Sequence, residues 1–159
     1  MINYGSTRVR GPEQSQLTAH RSHTLLRGNQ PRPAPTPGHH ILIVEDYPDG
    51  RETQRLLLEL LGHRVDTAAD GAEGVRKAVE LRPEVALVDI GLPRLNGYEV
   101  ARQVRAALGQ QIFLIAMSAY SDSDSVERGR EAGFDAYLVK PVGLDELNYW
   151  LDVADGRNE

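Results

Sequence analysis

The chain has 159 residues and not one cysteine. Disulfides, thiolate metal centres and cysteine nucleophiles are excluded together, and the absence agrees with a reducing compartment. Lysine is nearly as scarce: only Lys77 and Lys140 interrupt an otherwise all-arginine set of 18 basic side chains. A position that keeps lysine in such a chain calls for a compact, flexible ammonium rather than a planar guanidinium. No apolar run approaches the roughly 18 to 20 residues that a membrane span needs, and the N-terminus lacks the apolar stretch of a secretory signal. The expectation is a cytoplasmic protein whose chemistry is that of oxygen and nitrogen.

Positive charge is missing from most of the chain. Residues 1 to 40 carry five arginines and one glutamate (5 − 1 = +4), and the remainder carries 13 basic and 22 acidic side chains (13 − 22 = −9). An acidic body argues against a nucleic-acid-binding surface on the folded part. For the basic arm, a solvated tail is a simpler reading than contact with RNA, DNA or an acidic partner.

Residues 1–39 show neither a period of 2 nor one of 3.6, and "NQPRPAPTPGHH" alternates proline with small and polar residues. This predicts a disordered tail ending in an extended linker. His20 with His23 and His39 with His40 have spacings compatible with a metal site, but a tail and a linker end favour solvated histidines. The composition, 40% hydrophobic and 26% charged, fits one soluble domain over residues 40–154. "DVADGRNE" reads as a fraying polar end, with residues 155–159 as a short C-terminal tail.

Within 40–154, five short aliphatic runs alternate with five amphipathic segments. The runs are "ILIV" (41–44), "RVDTA" (64–68), "VALV" (85–88), "IFLIAM" (112–117) and "AYLV" (136–139). Runs without polar alternation are those of parallel strands covered on both faces, whereas "RVDTA" alternates as an edge strand does. The first helix is predicted from Pro48, with Asp49 and Glu52 in its first turn, a stripe of Leu56, Leu57, Leu60 and Leu61, and Gly62 closing it. Asp70 with Glu73, and Asn96 with Glu99, have the spacing of capping pairs. The second helix then turns Val75, Ala78 and Val79 inward, and the third Val100 and Val104. The fourth runs from about Asp122 to Ala132 and stops at Gly133; the fifth carries Leu144, Leu147, Trp150 and Leu151. Five βα units predict an α/β fold, a doubly wound parallel sheet with helices on both faces.

In such sheets ligands gather beyond the carboxyl ends of the strands, near the switch in strand order. There the sequence places Glu45 and Asp46 after the first strand, Asp89 after the third, Ser118 after the fourth and Lys140 after the fifth. Three crowded carboxylates repel unless a cation lies among them. Oxygen donors suit Mg²⁺, or Mn²⁺, rather than zinc. A carboxylate, a divalent metal, a lysine and a hydroxyl suit the transfer of a phosphoryl group onto the carboxylate, with Asp89 as nucleophile. Taken alone, Asp46 reads better as a cap for the helix at Pro48; beside Asp89 and Lys140 it reads as a ligand.

The segments "ILIVEDYPDGRE", "VDIGLPRLNGYEVAR", "IAMSAYS" and "GFDAYLVKPVGLDEL" resemble, in order, those of the receiver domain of bacterial two-component response regulators. The resemblance covers residues 40 to about 154 and implies a flavodoxin-like fold of five parallel strands and five helices. It implies that Asp89 is phosphorylated by a histidine kinase or phosphotransfer protein. Mg²⁺ would be bound by Asp46, Asp89 and the main-chain carbonyl of Gly91, with Glu45 acting through water. Lys140 would pair with the phosphoryl group, and the Lys140–Pro141 bond would be cis. Ser118 would move toward the phosphoryl oxygen and Tyr137 inward behind it, changing the face built from the fourth helix, fifth strand and fifth helix, where a homodimer or a downstream protein could form. Ser118 stands where threonine is commoner, and Gly91 and Tyr120 occupy the positions that set water's access to the acyl phosphate. The flavour of "DIGLPRLNGYEVARQVR" also resembles receivers attached to hybrid kinases.

No helix-turn-helix or second core is legible, so the expectation is a single-domain phosphorylation-gated switch without separate substrate turnover. An aspartate-nucleophile phosphatase would want a second aspartate where Gly91 stands. A phosphorylation-independent scaffold is the alternative, and the intact Asp46, Asp89, Ser118 and Lys140 argue against it.

Overall fold

The computed structural model describes residues 37–157. Residues 1–36, with the predicted tail and its His20 and His23, and residues 158–159 lie outside the described residues. The order is β1 (His40–Val44), α1 (Pro48–Leu60), β2 (Arg64–Ala68), α2 (Gly71–Leu81), β3 (Val85–Asp89), α3 (Gly97–Leu108), β4 (Phe113–Ser118), α4 (Ser123–Ala132), β5 (Ala136–Val139) and α5 (Leu144–Asp155). The strands form one parallel sheet in the order β2-β1-β3-β4-β5. β2 is an edge strand, as its alternation predicts, and the order reverses between β1 and β3, which opens a crevice at their carboxyl ends.

Strand residues alternate between two cores. Leu42, Val44, Ala86 and Val88 meet Ala78 of α2 and Val100, Val104 and Leu108 of α3. Ile41, Ile43, Val85 and Leu87 meet Leu58 of α1 and Leu147 and Leu151 of α5 on the opposite face. Helix starts follow their caps. Asp70 accepts the Glu73 N–H at 2.8 Å, Asn96 and Glu99 close a reciprocal capping box, and Asp122 accepts the Ser125 N–H at 2.9 Å. Each satisfies a backbone donor that the first helical turn leaves without a partner.

The predicted inward stripe of α1 is wrong. Leu56, Leu57, Leu60 and Leu61 are all exposed, Leu60 at 85%, and the leucine that enters the core is Leu58. Five leucines within six positions cover more than half the helix circumference, so periodicity could not say which arc meets the sheet. Val79 is likewise exposed rather than inward; in α2 the close approach is made by Gly74, against Val44. The folded part also begins before residue 40. His39 is only 4% exposed, stacks on His63 at 5.5 Å between ring centres, and donates its N–H to His63 Nδ1 at 3.0 Å. At the other end α5 includes Asp155, and Arg157 is held at 2.6 Å from Asp135 Oδ1, so the described part of the predicted tail is anchored.

Candidate functional site

The carboxyl ends of β1, β3 and β5 bring Glu45, Asp89 and Lys140 together, with Asp46 beside them. Glu45 is 3% exposed and Asp89 7%. The Lys140 ammonium lies 3.0 Å from Glu45 Oε2 and 3.1 Å from Asp89 Oδ2. The remaining oxygens are held by the main chain: Tyr47 N–H donates to Glu45 Oε1 at 3.1 Å and Gly91 N–H to Asp89 Oδ1 at 3.0 Å. Burial pushes the Glu45 carboxyl above its ordinary range; the Lys140 and Tyr47 hydrogen bonds oppose the shift and the Asp89 charge adds to it. Burial works against the Lys140 charge, but the hydrogen bonds to Glu45 and Asp89 outweigh it and hold the ammonium above its usual range.

Glu45, Asp46 and Asp89 each offer a carboxylate oxygen within 4.8 Å of the others. Asp46 does not cap α1: the N-cap is Tyr47, and no side-chain cap bond is made there. The cap reading therefore fails, and the exposed Asp46 carboxylate faces the same small volume as two buried ones. An all-oxygen donor set carrying this much negative charge fits a hard divalent cation such as Mg²⁺.

Ser118 and Tyr137 lie one step away. Ser118 is buried at the end of β4, paired in register with Val139, one position beyond the Met117 that faces Asp89. Its carbonyl accepts the Lys140 N–H at 2.7 Å, and the Lys140–Pro141 bond is cis. Ser118 Oγ accepts the Tyr120 N–H at 3.1 Å, while the half-buried Tyr137 donates its hydroxyl to the Tyr120 carbonyl at 3.2 Å. The main chain of Tyr120 thus connects Ser118 and Tyr137, a link that side-chain identity in the sequence could not reveal.

Two glycines make this geometry possible. A Cβ at Gly97 would meet the Asp89 carbonyl oxygen at 2.5 Å, so the start of α3 can press against the end of β3 only with glycine there. A Cβ at Gly129 would meet the Tyr137 ring at 2.8 Å, so glycine in α4 makes room for the aromatic. The sequence reading also missed Arg51. Its guanidinium donates to the Glu45 carbonyl at 2.8 Å and lies 3.5 Å from that of Asp46. The available signal was a cation in the first turn of a helix, where anions are favoured.

This fold is that of a known family. Residues 41–152 match the response regulator receiver domain, and the chain belongs to that family. It is 36% identical over 118 residues to the transcriptional regulatory protein KdpE of Mycobacterium tuberculosis, covering 74% of this chain and 51% of that protein. It is 36% identical over 113 residues to the sensor histidine kinase AtsR of Burkholderia thailandensis, covering 69% of this chain and 18% of that one. The receiver domain of sensor histidine kinase PA1611 from Pseudomonas aeruginosa PAO1, solved with a magnesium ion coordinated in the active site cleft, is 37% identical with a TM-score of 0.69, over 75% of this chain and 98% of that one. The chain spans about half the length of KdpE. Receiver domains are signalling switches of two-component systems rather than enzymes that turn over a separate substrate. No helix among the described residues is long and apolar enough to cross a membrane.

Proposed function

We propose that this chain is a cytoplasmic phosphorylation switch in which Asp89 accepts a phosphoryl group, with Mg²⁺, from a phosphohistidine on a kinase or phosphotransfer protein. The observation that carries the reading is the Lys140 ammonium bridging Glu45 and Asp89 beside an Asp46 that caps nothing. Asp46, Asp89 and the Gly91 carbonyl would hold the metal, with Glu45 assisting through water; Mn²⁺ suits the same donors. When bound, the metal neutralises charge on the phosphoryl oxygens.

The chain's own groups supply the rest. A carboxylate oxygen of Asp89 attacks phosphorus in line, the P–N bond to the donor imidazole breaks with its electron pair going to nitrogen, and an acyl phosphate remains. Lys140 exchanges its contact with Asp89 for the phosphoryl oxygens. Ser118 Oγ leaves the Tyr120 N–H to donate a hydrogen bond to a phosphoryl oxygen, and Tyr137, tied to the same Tyr120 main chain, moves with it. The output face is α4, β5 and α5, where Val126, Val139 and Tyr149 are exposed and where a downstream protein, a hybrid kinase or a second copy would dock.

The test is intact-mass measurement after incubation with Mg²⁺ and a small acyl phosphate. One added phosphoryl group in the wild type, absent from Asp89→Asn and from a metal-free control, is the expected result. A correctly folded wild type that gains nothing from the acyl phosphate or from a phosphorylated histidine donor would falsify the reading.

A further inference from the structure

We propose that Arg51 is a positioning residue for the metal site, holding the loop that carries Glu45 and Asp46 by its carbonyls. The inference rests on the metal reading above and concerns a residue that reading does not use.

Arg51 sits in the first turn of α1, its own N–H bonded to the Tyr47 carbonyl at 3.0 Å. The helix macrodipole disfavours a cation there. Its guanidinium turns back across the helix start, donates to the Glu45 carbonyl at 2.8 Å and approaches that of Asp46 at 3.5 Å. Glu45 is also braced through its own N–H, bonded to the Ala68 carbonyl at 3.1 Å, and through its carboxylate. The exposed Asp46 carboxylate has no capping bond to orient it, so its direction is inherited from the main chain that Arg51 grips.

The choice of carbonyls matters as much as the grip. Among the described residues Arg51 forms no ion pair with Glu45, Asp46 or Asp89, unlike Lys140, which pairs with two of them. A cation bound to carbonyl oxygens leaves the carboxylate oxygens available to a metal. Groups that orient metal ligands from behind commonly contribute about 10- to 100-fold in metal affinity.

Charge and positioning predict opposite signs, which makes the proposal testable. Mg²⁺ affinity is measured by titration calorimetry and by the Mg²⁺-dependent rise in Tm, for the wild type, Arg51→Met and Arg51→Lys. If Arg51 positions the loop, Arg51→Met weakens Mg²⁺ binding about tenfold although it removes a repelling charge. Arg51→Lys, which keeps a donor of similar reach, then stays within about threefold of the wild type. If the guanidinium acts only through its charge, or only supports the fold, Arg51→Met binds Mg²⁺ more tightly or equally well, and the proposal is overturned. A Lys variant as weak as the Met variant overturns it too. Should Arg51→Met not fold, Arg51→Gln takes its place and is read by the same sign. A wild type that does not bind Mg²⁺ removes the metal reading and this proposal together; a wild type that binds, with an unaffected neutral variant, removes only the role of Arg51.

Discussion

Lys140 Nζ lies 3.1 Å from Asp89 Oδ2, although β4 lies between β3, which ends in Asp89, and β5, which Lys140 follows. The lysine reaches across the end of β4 and also meets Glu45 at 3.0 Å, so one ammonium offsets two buried carboxylates. Removing one partner of a buried pair costs about 3–5 kcal/mol, but the Lys140 side chain is 32% exposed and solvent screens part of the interaction. Lys140→Met should therefore lower metal-free stability by about 1–2 kcal/mol in urea unfolding. The folded-state pKa of Lys140 is raised, so its stabilisation is present through the neutral range and is lost as pH climbs above about 10.5. The difference between the wild type and Lys140→Met should shrink there.

Asp46 should behave in the opposite way. It is exposed and caps nothing, so Asp46→Asn should change metal-free stability by no more than about 0.5 kcal/mol. The Mg²⁺-dependent stabilisation, about 1.4 kcal/mol at ten times Kd, should largely disappear. Thermal melts with and without Mg²⁺ decide the matter; an undiminished Mg²⁺ shift in Asp46→Asn would remove it from the ligand set.

The strands, the edge position of β2 and the convergence of Glu45, Asp46, Asp89 and Lys140 were legible because each rests on a local signal: an aliphatic or alternating run, a capping pair, or a charged residue where a buried strand ends. What was not legible depends on which of several equivalent arrangements the fold selects. The leucines of α1 could meet the sheet along more than one arc. His39 looks like a linker residue until its N–H finds His63 from the start of β2. Arg51 and the Tyr120 main chain act through backbone atoms, which leave no trace in residue type. Asp135 belongs to the same class, since its two arginines arrive from α3 and from beyond α5.

The two leucine arcs give a direct contrast. Leu58 is 1% exposed and borders a partly open apolar pocket of about 120 Å³ between α1 and α5, so truncation widens a gap that is already there. Leu58→Ala should cost about 2–5 kcal/mol. Leu60→Ala, at a position 85% exposed, should stay within about 0.5 kcal/mol of the wild type. Urea denaturation of both variants tests the correction to the predicted stripe.

Asp135 ties three parts of the chain together. Arg105 bonds Asp135 Oδ2 at 2.5 Å and the Gly133 and Ile112 carbonyls at 2.8 and 2.7 Å, Leu114 N–H donates to the same Oδ2 at 2.8 Å, and Arg157 pairs with Oδ1. Both Arg105 and Asp135 are largely buried, at 12% and 8% side-chain exposure. Asp135→Ala strands Arg105 and should cost about 3–5 kcal/mol. Arg157→Ala, removing a half-exposed arginine, should cost no more than about 1 kcal/mol. Equal losses in equilibrium unfolding would contradict this ranking.

The histidines at the opposite end of the sheet should make stability fall in mild acid. His63 is depressed below its ordinary pKa, first by burial and then by the neighbouring His39, with Asp155 opposing. Its Nδ1 accepts the His39 N–H, which only the unprotonated nitrogen can do. The unfolded chain therefore takes up this proton more readily than the folded one, so stability is full above the unfolded value near 6.5 and declines as pH drops below it. His63→Asn replaces the acceptor nitrogen with an amide oxygen and removes the titration. Its unfolding free energy should consequently change less between pH 7 and pH 5.5 than that of the wild type, and a steeper decline in the variant would show that His63 is not the group that takes the proton.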